Sequence, residues 1–301
     1  MTYRNYNNGI DVTGTDRNCL VRWDPAGRNG RFLTGGGDAL CTGKPHGIKI
    51  AVENGTEYMY HANVESGVPG KPGALAHNSG KLTKTTMEGE IVWQIQGPFG
   101  QAVSSTVSSY RPSWWAVNQP GPYIYLTDGY GSFNIYVFTR DGRFLNRTFG
   151  GPGTAHGRFA NPHGITFDPR SGELAVTDRG NGRIEFFEVD AENGDRFAYT
   201  KTATVAHAAL PRGEPAFAPC NFRVLQNASD PALVGFAVVP ALEGPVAILD
   251  QNNTVVSVVD VAGLIGGRGS KHPHDAIFVG RSGDIAVGTW NLGFVSYWKR
   301  L

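Results

Sequence analysis

The sequence predicts an all-β fold, a single six-bladed β-propeller spanning residues 1–301 with four-stranded antiparallel blades. Composition is one basis for this prediction, since the chain has 41 glycines and 18 prolines, which interrupt helices. Periodicity is the other, because a strand-turn-strand pattern recurs about every 50 residues, which is the length of a propeller blade. Hydrophobic residues make up 40% of the chain and charged residues 18%, so a large core is expected.

The repeat is clearest in the middle of the chain. Residues 123–138 align with residues 173–187, and the alignment places Asp128 and Asp178 at the same position. Each segment has the pattern of two strands joined by a turn. An Asp-Gly pair at 141–142 and an Asn-Gly pair at 193–194 then precede a further strand. Together with a short strand upstream, each unit has the four strands of one blade.

A proline opens each recognisable unit. These prolines are Pro45, Pro112, Pro162, Pro219 and Pro273. A first unit fits before Pro45, around residues 9–12, which gives six blades. The Gly- and Pro-rich excursion at residues 66–73 is expected to be a long surface loop. A β-sandwich with accidental turn spacing is the alternative to the propeller.

Charge and composition exclude several classes of partner. The chain has 27 Lys and Arg residues against 26 Asp and Glu residues, and no stretch concentrates one sign, so no nucleic-acid partner is expected. No run approaches the ~20 apolar residues that span a bilayer, so no membrane association is expected either. Cys19, Cys41 and Cys220 form no CxxC pair, which favours a reducing, cytoplasmic compartment, with an exported mature domain as the alternative. The oligomeric state is left open.

Three of the five openings carry a histidine directly after the proline, at His46, His163 and His274. These are units two, four and six. The first strand of each blade lines the channel of a propeller, so alternate blades would bring the three imidazoles together. Three such ligands leave a fourth position open on a catalytic Zn²⁺ ion. The alternative is a turn preference in which imidazoles cap backbone groups, but the intervening openings have Ser113 and Cys220.

The turn after the second strand opens on the same face, and there the units differ. They have Tyr130, Arg179, His61 and Trp290. A phenol beside a Lewis acid can act as a base, and a guanidinium can hold a carboxylate bidentately, so Tyr130 and Arg179 indicate a reaction on a small anionic substrate. The alternative is a packed Tyr130 and a surface ion pair at Arg179. His61 and His272 are expected near the mouth, each as a proton shuttle or a packed histidine.

These residues resemble the NHL-repeat propellers, and among them the peptidyl-α-hydroxyglycine α-amidating lyases, zinc enzymes that cleave a carbinolamide to a peptide amide and glyoxylate. Residues 112–188, residues 235–301 and residues 44–48 carry the resemblance. It implies a propeller with zinc bound by His46, His163 and His274. It also implies that Tyr130 is the catalytic tyrosine and Arg179 an active-site arginine.

The resemblance further implies a structural calcium ion, with Asp275 and the carbonyl of Ile48 among its ligands. The family's second active-site arginine would fall in the first unit, where Arg22 and Arg28 are both candidates.

Two residues depart from the family pattern. Gly131 stands where the family has a disulfide-bonded cysteine, and His272 stands where it has a methionine. With these departures, the resemblance supports the fold and the metal centre better than the substrate.

The sequence therefore predicts a zinc-dependent lyase or hydrolase acting on a small, carboxylate-bearing substrate. The predicted reaction is most like C–N cleavage of an α-hydroxyglycine-type carbinolamide, with Tyr130 as base and Arg179 as carboxylate ligand. The alternatives are a metal-dependent hydratase or a lactonase-type hydrolase on the same scaffold, and a non-enzymatic NHL interaction module.

Overall fold

The computed structural model describes most of the chain and divides it into two compact units, Met1–Thr148 and Phe149–Leu301. The described residues are 20–23, 30–33, 45–64, 66–68, 71–76, 80–97, 110–117, 121–190, 196–206, 217–242, 244–261, 272–290 and 295–301.

The first unit contains two antiparallel four-stranded sheets, ordered β3-β4-β7-β8 and β12-β11-β10-β9, and two small sheets that pair β1 with β2 and β5 with β6. Its strands, the last of which runs past Thr148, are β1 (Leu20–Trp23), β2 (Gly30–Leu33), β3 (Pro45–Glu53), β4 (Thr56–Asn63), β5 (Ser66–Val68), β6 (Lys71–Ala76), β7 (Lys81–Thr86), β8 (Ile91–Gln96), β9 (Trp114–Val117), β10 (Tyr123–Thr127), β11 (Asn134–Thr139) and β12 (Phe144–Gly150).

The second unit contains two four-stranded antiparallel sheets, β13 to β16 and β17 to β20, and the three-stranded sheet β21 to β23. Its strands are β13 (Pro162–Phe167), β14 (Leu174–Asp178), β15 (Arg183–Val189), β16 (Phe197–Ala203), β17 (Arg223–Val224), β18 (Ala237–Pro240), β19 (Val246–Leu249), β20 (Val255–Val259), β21 (Pro273–Val279), β22 (Asp284–Thr289) and β23 (Val295–Trp298). Two short 3-10 helices span Arg179–Asn181 and Pro231–Leu233. Within the described ranges, no helix is long and apolar enough to cross a membrane.

These sheets confirm an all-β propeller with four-stranded antiparallel blades, but the described residues form five blades and not six. The predicted first unit, around residues 9–12, lies outside the described residues. That unit had no opening proline and was inferred from the length of chain left before Pro45. What the structure describes before Pro45 is the two-stranded pair β1-β2, in which Leu20 lies opposite Leu33. Nothing tests the prediction that residues 1–301 are a single domain, which stays a prediction.

The Gly- and Pro-rich excursion in the second predicted unit is a β-hairpin and not the loop that we expected. Its strands β5 and β6 pair antiparallel, with Ser66 opposite Ala76. The hairpin lies in the chain between β4 and β7, which still pair directly with each other. The glycines and prolines of this segment obscured the pattern of two short strands, which form a separate two-stranded sheet and add to none of the blades.

Packing between successive sheets forms the core of each unit. In the first unit, Tyr60 of β4 packs on Trp115 of β9 with ring centroids 4.6 Å apart, and the Trp115 indole donates to the Tyr60 carbonyl at 3.1 Å. In the second unit, Phe186 of β15 meets Phe222 edge to face at 5.9 Å. Burying large aromatic rings on facing sheets is the main stabilising contribution of such a fold.

The glycine after an opening histidine is required by close approach of the next blade. A Cβ atom at Gly47 would lie 2.7 Å from the Ser113 carbonyl oxygen, and one at Gly164 would lie 2.7 Å from the Cys220 carbonyl oxygen. Both contacts are shorter than real Cβ atoms adopt, and the obstacle is backbone. Gly47 instead donates its N–H to Ser113 at 3.1 Å. The His-Gly pair is therefore a point where two blades meet.

We expect Gly164→Ala to lower the free energy of unfolding by about 1–3 kcal/mol, because the added methyl group overpacks against backbone atoms. Gly288→Ala is the matched control, since a Cβ atom there has its nearest neighbour at 3.8 Å, and neither glycine has positive φ. Urea unfolding followed by tryptophan fluorescence measures both. A stability loss of the same size in the two variants would contradict the close approach.

Candidate metal centre

His46 is held in one tautomer by the blade that follows it. Its Nδ1 atom lies 2.6 Å from the Ser113 carbonyl oxygen, and its Nε2 atom lies 3.2 Å from the Tyr130 hydroxyl. A carbonyl can only accept, so Nδ1 carries the proton and Nε2 carries the lone pair. The imidazole is 5% exposed. A buried lone pair is therefore directed at the Tyr130 hydroxyl.

His163 repeats this arrangement in the second unit. Its Nδ1 atom lies 2.7 Å from the Cys220 carbonyl oxygen, and its side chain is fully buried. Cys220 and Ser113 both directly follow an opening proline. His46 and His163 are thus both oriented by the backbone of the next opening, and such a hydrogen bond to the other ring nitrogen is what usually orients an imidazole for a metal ion.

His274 lies beside His163, with ring centroids 4.7 Å apart at an interplanar angle of 81°. His163 and His274 are therefore adjacent within the second unit, and together with His46 of the first unit they make up a set of three imidazoles that could hold a metal ion. His274 is the partly exposed member of the group. This cluster can hold a metal ion, as the repeat spacing predicts.

Tyr130 lies in a turn between β10 and β11 that is closed by the carboxylate of Asp128. That carboxylate accepts from the N–H of Arg111 at 2.5 Å and from the N–H and hydroxyl of Ser132, each at 2.7 Å. Tyr130 itself donates its N–H to the Arg111 carbonyl at 3.2 Å. Burial raises the pKa of Asp128 to about 6, against the lowering effect of these hydrogen bonds. Asp128 thus fixes the turn that presents the phenol.

The same turn explains why residue 131 is a glycine. A Cβ atom at this position would lie 2.3 Å from Oδ1 of Asp128. A cysteine, which the family pattern places here, would displace the carboxylate that closes the turn. The departure at Gly131 is therefore coupled to Asp128.

Arg179 begins the 3-10 helix that follows β14. Its backbone N–H donates to the Asn161 carbonyl at 3.1 Å, and its side chain lies close enough to the Cys220 thiol to affect the pKa of that thiol. Burial raises the pKa of that thiol to about 11, while the Arg179 charge lowers it. Cys220 therefore lies next to Arg179 through its side chain and binds His163 through its carbonyl. The guanidinium and the imidazole are thus both neighbours of Cys220.

His61 lies within β4, opposite Ile48 and Thr83. Its side chain is 1% exposed, and burial, together with the charge of Lys81, lowers its pKa to about 3. Its Nε2 atom is buried and has no hydrogen-bond partner in the described part of the chain. A proton shuttle titrates near the working pH, so this environment favours the packed-histidine interpretation.

His272 precedes His274 by two residues and adopts φ 80°, a left-handed conformation that non-glycine residues rarely take. The N–H of Trp290 donates to its carbonyl at 2.9 Å. Its role as a proton shuttle stays a prediction.

The carboxylate of Asp275 has partners within its own unit. It accepts from the Asn221 amide at 2.6 Å and lies 3.3 Å from a guanidinium nitrogen of Arg223. Ile48 lies in β3 just past a register shift that begins at Pro45. A calcium ion at Asp275 and Ile48 stays a prediction.

Of the two first-unit arginines, Arg22 lies in β1 opposite Arg31. Arg28 lies outside the described residues. The assignment of a second active-site arginine stays a prediction.

Sequence reasoning missed the part that Ser113 and Cys220 play. It treated them as positions without a histidine, whereas their carbonyls orient His46 and His163. Their position after an opening proline is the signal that could have found them. Asp128 was noted only as a repeat position.

Residues 159–187 match the NHL repeat family, so the chain contains an NHL repeat. Over 119 residues it is 29% identical to a peptidyl-glycine alpha-amidating monooxygenase of Mus musculus, which covers 38% of this chain and 12% of the mouse protein. Over 87 residues it is 32% identical to peptidyl-glycine alpha-amidating monooxygenase A of Xenopus laevis, covering 28% of this chain and 9% of that protein. The chain thus matches about an eighth or less of the length of these enzymes.

Solved structures resemble the chain at the level of fold. A Lactobacillus plantarum protein aligns with a TM-score of 0.53 and 13% identity, covering 84% of this chain and 80% of the other. A putative 6-phosphogluconolactonase from Bacteroides uniformis aligns with a TM-score of 0.50 and 14% identity, covering 92% of this chain and 75% of the other.

The raised pKa of Asp128 predicts the direction in which the free energy of unfolding changes with pH. Because the folded protein binds this proton more tightly than the unfolded chain does, protonation of Asp128 stabilises the fold. This stabilisation is fully present below about pH 4 and is lost as the pH rises through about 6. We therefore expect the free energy of unfolding of the wild type, relative to Asp128→Asn, to fall by about 2–3 kcal/mol between pH 4 and 7. Urea unfolding at several pH values measures this difference, and a difference that rises with pH would refute the assignment.

Proposed function

We propose that this chain is a zinc-dependent lyase that cleaves the C–N bond of small, carboxylate-bearing carbinolamides of the α-hydroxyglycine type. The observation that carries the proposal is the set of three opening histidines that could hold a metal ion, His46, His163 and His274, of which the last two are neighbours with ring centroids 4.7 Å apart. The partial match to peptidyl-glycine alpha-amidating monooxygenases supports a link to amidating chemistry.

The donor set fits zinc. Neutral imidazoles are borderline ligands that suit Zn²⁺, and three of them leave a position open for substrate. His46 and His163 already donate Nδ1–H to carbonyl oxygens, so each offers its Nε2 lone pair without a change of tautomer. When bound, zinc supplies Lewis acidity that favours ionisation of a hydroxyl group at the open position.

Tyr130 is the proposed base. Its hydroxyl oxygen lies 3.2 Å from Nε2 of His46, so it stands next to the atom that would bind the metal. In its ionised form, Tyr130 would take the proton of the substrate hydroxyl on its phenolate oxygen and return that proton to the amide nitrogen. The O–H electron pair becomes the carbonyl of glyoxylate, the C–N bond breaks, and the amide nitrogen accepts a proton to give the amide. Atoms and charge balance without a further reactant.

Arg179 is the proposed ligand for the substrate carboxylate. A guanidinium can hold a carboxylate through two parallel hydrogen bonds. Its contact with Cys220 is to a thiol whose pKa burial raises to about 11, so the sulfur is neutral near pH 7. This contact orients the guanidinium without neutralising its charge. The 3-10 helix at Arg179–Asn181 fixes the backbone from which the side chain extends.

The metal assignment is tested by elemental analysis of protein purified without added metal. We expect about one zinc per chain in the wild type and a loss of most of it in His163→Gln, because two imidazoles bind zinc much more weakly than three. His156→Gln is the matched control in the same unit, since the His156 side chain is 56% exposed and pairs with Glu185. Stoichiometric zinc in His163→Gln would contradict the ligand set.

The reaction is tested by glyoxylate release from N-acyl-α-hydroxyglycines. We expect Tyr130→Phe to keep its zinc and its midpoint of urea unfolding while kcat falls by about 10²–10⁴-fold, as loss of an acid-base group does. Tyr297→Phe, at an exposed tyrosine of the outer strand β23, is the control and should match the wild type. Zinc-loaded wild-type protein that releases no glyoxylate would contradict the reaction, and an unchanged kcat in Tyr130→Phe would contradict the role of the phenol.

A further inference from the structure

The histidine cluster is most open to solvent at His274. His46 is 5% exposed and His163 is fully buried, whereas His274 is partly exposed. The indole of Trp290 lies against this imidazole, with ring centroids 5.5 Å apart at an interplanar angle of 37°. A molecule approaching His274 would therefore meet Trp290.

Backbone contacts position Trp290. Thr289, the residue before it, ends β22 opposite Pro273, and the Trp290 N–H donates to the carbonyl of His272 at 2.9 Å. The left-handed backbone of His272 brings that carbonyl to Trp290. A stacking surface needs a fixed backbone because an aromatic side chain then has few torsions left to order on binding.

The indole is not part of a close-packed core. Trp114 and Trp115 are each 1% exposed, whereas Trp290 is partly exposed. Its contact with His274 is also looser than the parallel stack of Phe149 on Phe197, in which the centroids are 3.9 Å apart at 19°. A partly exposed indole beside a metal ligand is suited to contact a flat ligand.

Arg179 and Trp290 lie on opposite sides of the part of the proposed site that the second unit contributes. Through Cys220, Arg179 lies on the His163 side, and Trp290 lies on the His274 side, while His163 and His274 are neighbours. A ligand spanning them carries a carboxylate at one end and a flat apolar group at the other. In an N-acyl-α-hydroxyglycine, the reacting carbon joins the carboxylate to the acylated nitrogen, so the acyl group is the flat end.

We propose that Trp290 is a substrate-binding residue that stacks on a planar aromatic acyl group, so that N-aroyl carbinolamides are preferred over N-alkanoyl ones. This specificity rests on the proposed function for the identity of the reacting group. The stacking itself needs only a ligand with a carboxylate and an aromatic acyl group.

The kinetic test compares glyoxylate release from N-benzoyl- and N-acetyl-α-hydroxyglycine. We expect wild-type kcat/KM to favour the benzoyl substrate by about tenfold. Trp290→Ala should lose most of that preference because its kcat/KM falls more on the benzoyl than on the acetyl substrate, and Trp290→Phe should keep most of it. Trp298→Phe, which alters an indole in β23, is the control. A preference that persists in Trp290→Ala would overturn the proposal.

A binding test separates this proposal from the reaction. N-benzoylglycine and N-acetylglycine lack the hydroxyl group and cannot be cleaved, so their dissociation constants, measured by calorimetry, report recognition alone. We expect wild-type protein to bind the benzoyl compound about tenfold more tightly, and Trp290→Ala to bind the two equally. This result without glyoxylate release would uphold the stacking role and reject the lyase. Equal affinities of the two compounds for the wild type would reject the stacking role, whatever the activity.

Discussion

The candidate site depends on one type of hydrogen bond, which occurs at two of the three histidines. In His46 and in His163, Nδ1–H donates to the carbonyl of the residue that follows the next opening proline, at 2.6 and 2.7 Å. Because a carbonyl only accepts, this bond selects the tautomer whose Nε2 atom can bind a metal ion. It also links each ligand to the neighbouring blade, so the packing of blades and the orientation of the imidazoles have one cause.

Several sequence features follow from that contact. At His46 and His163 the next blade approaches so closely that the following residue must be glycine, as at Gly47 and Gly164. The residues after the opening prolines contribute backbone oxygens, so a serine serves in one blade and a cysteine in another. In the second unit, the Cys220 side chain also contacts Arg179, which joins the proposed carboxylate ligand to the imidazole of His163. The buried Asp128 closes the turn that presents Tyr130 to His46.

The repeat made the blades and the three histidines predictable, because strand spacing and opening prolines are local patterns that survive in a single sequence. Other features depend on contacts between distant residues. The hairpin β5-β6 was hidden by its glycines and prolines, and the count of six blades relied on a segment without an opening proline. His61 has a position near the predicted mouth, yet its burial lowers its pKa to about 3, which only the packing of β4 reveals. A backbone carbonyl can act from any residue type, so only the position of Ser113 and Cys220 after an opening proline could have indicated their orienting roles, and not their identity.

The central claim is that three imidazoles share one zinc ion, and X-ray absorption at the zinc edge of the loaded protein tests it most directly. The account predicts a first shell with three imidazole nitrogens at about 2.0–2.1 Å, together with one lighter oxygen or nitrogen donor. A shell with two or fewer imidazoles, or one containing sulfur, would contradict it.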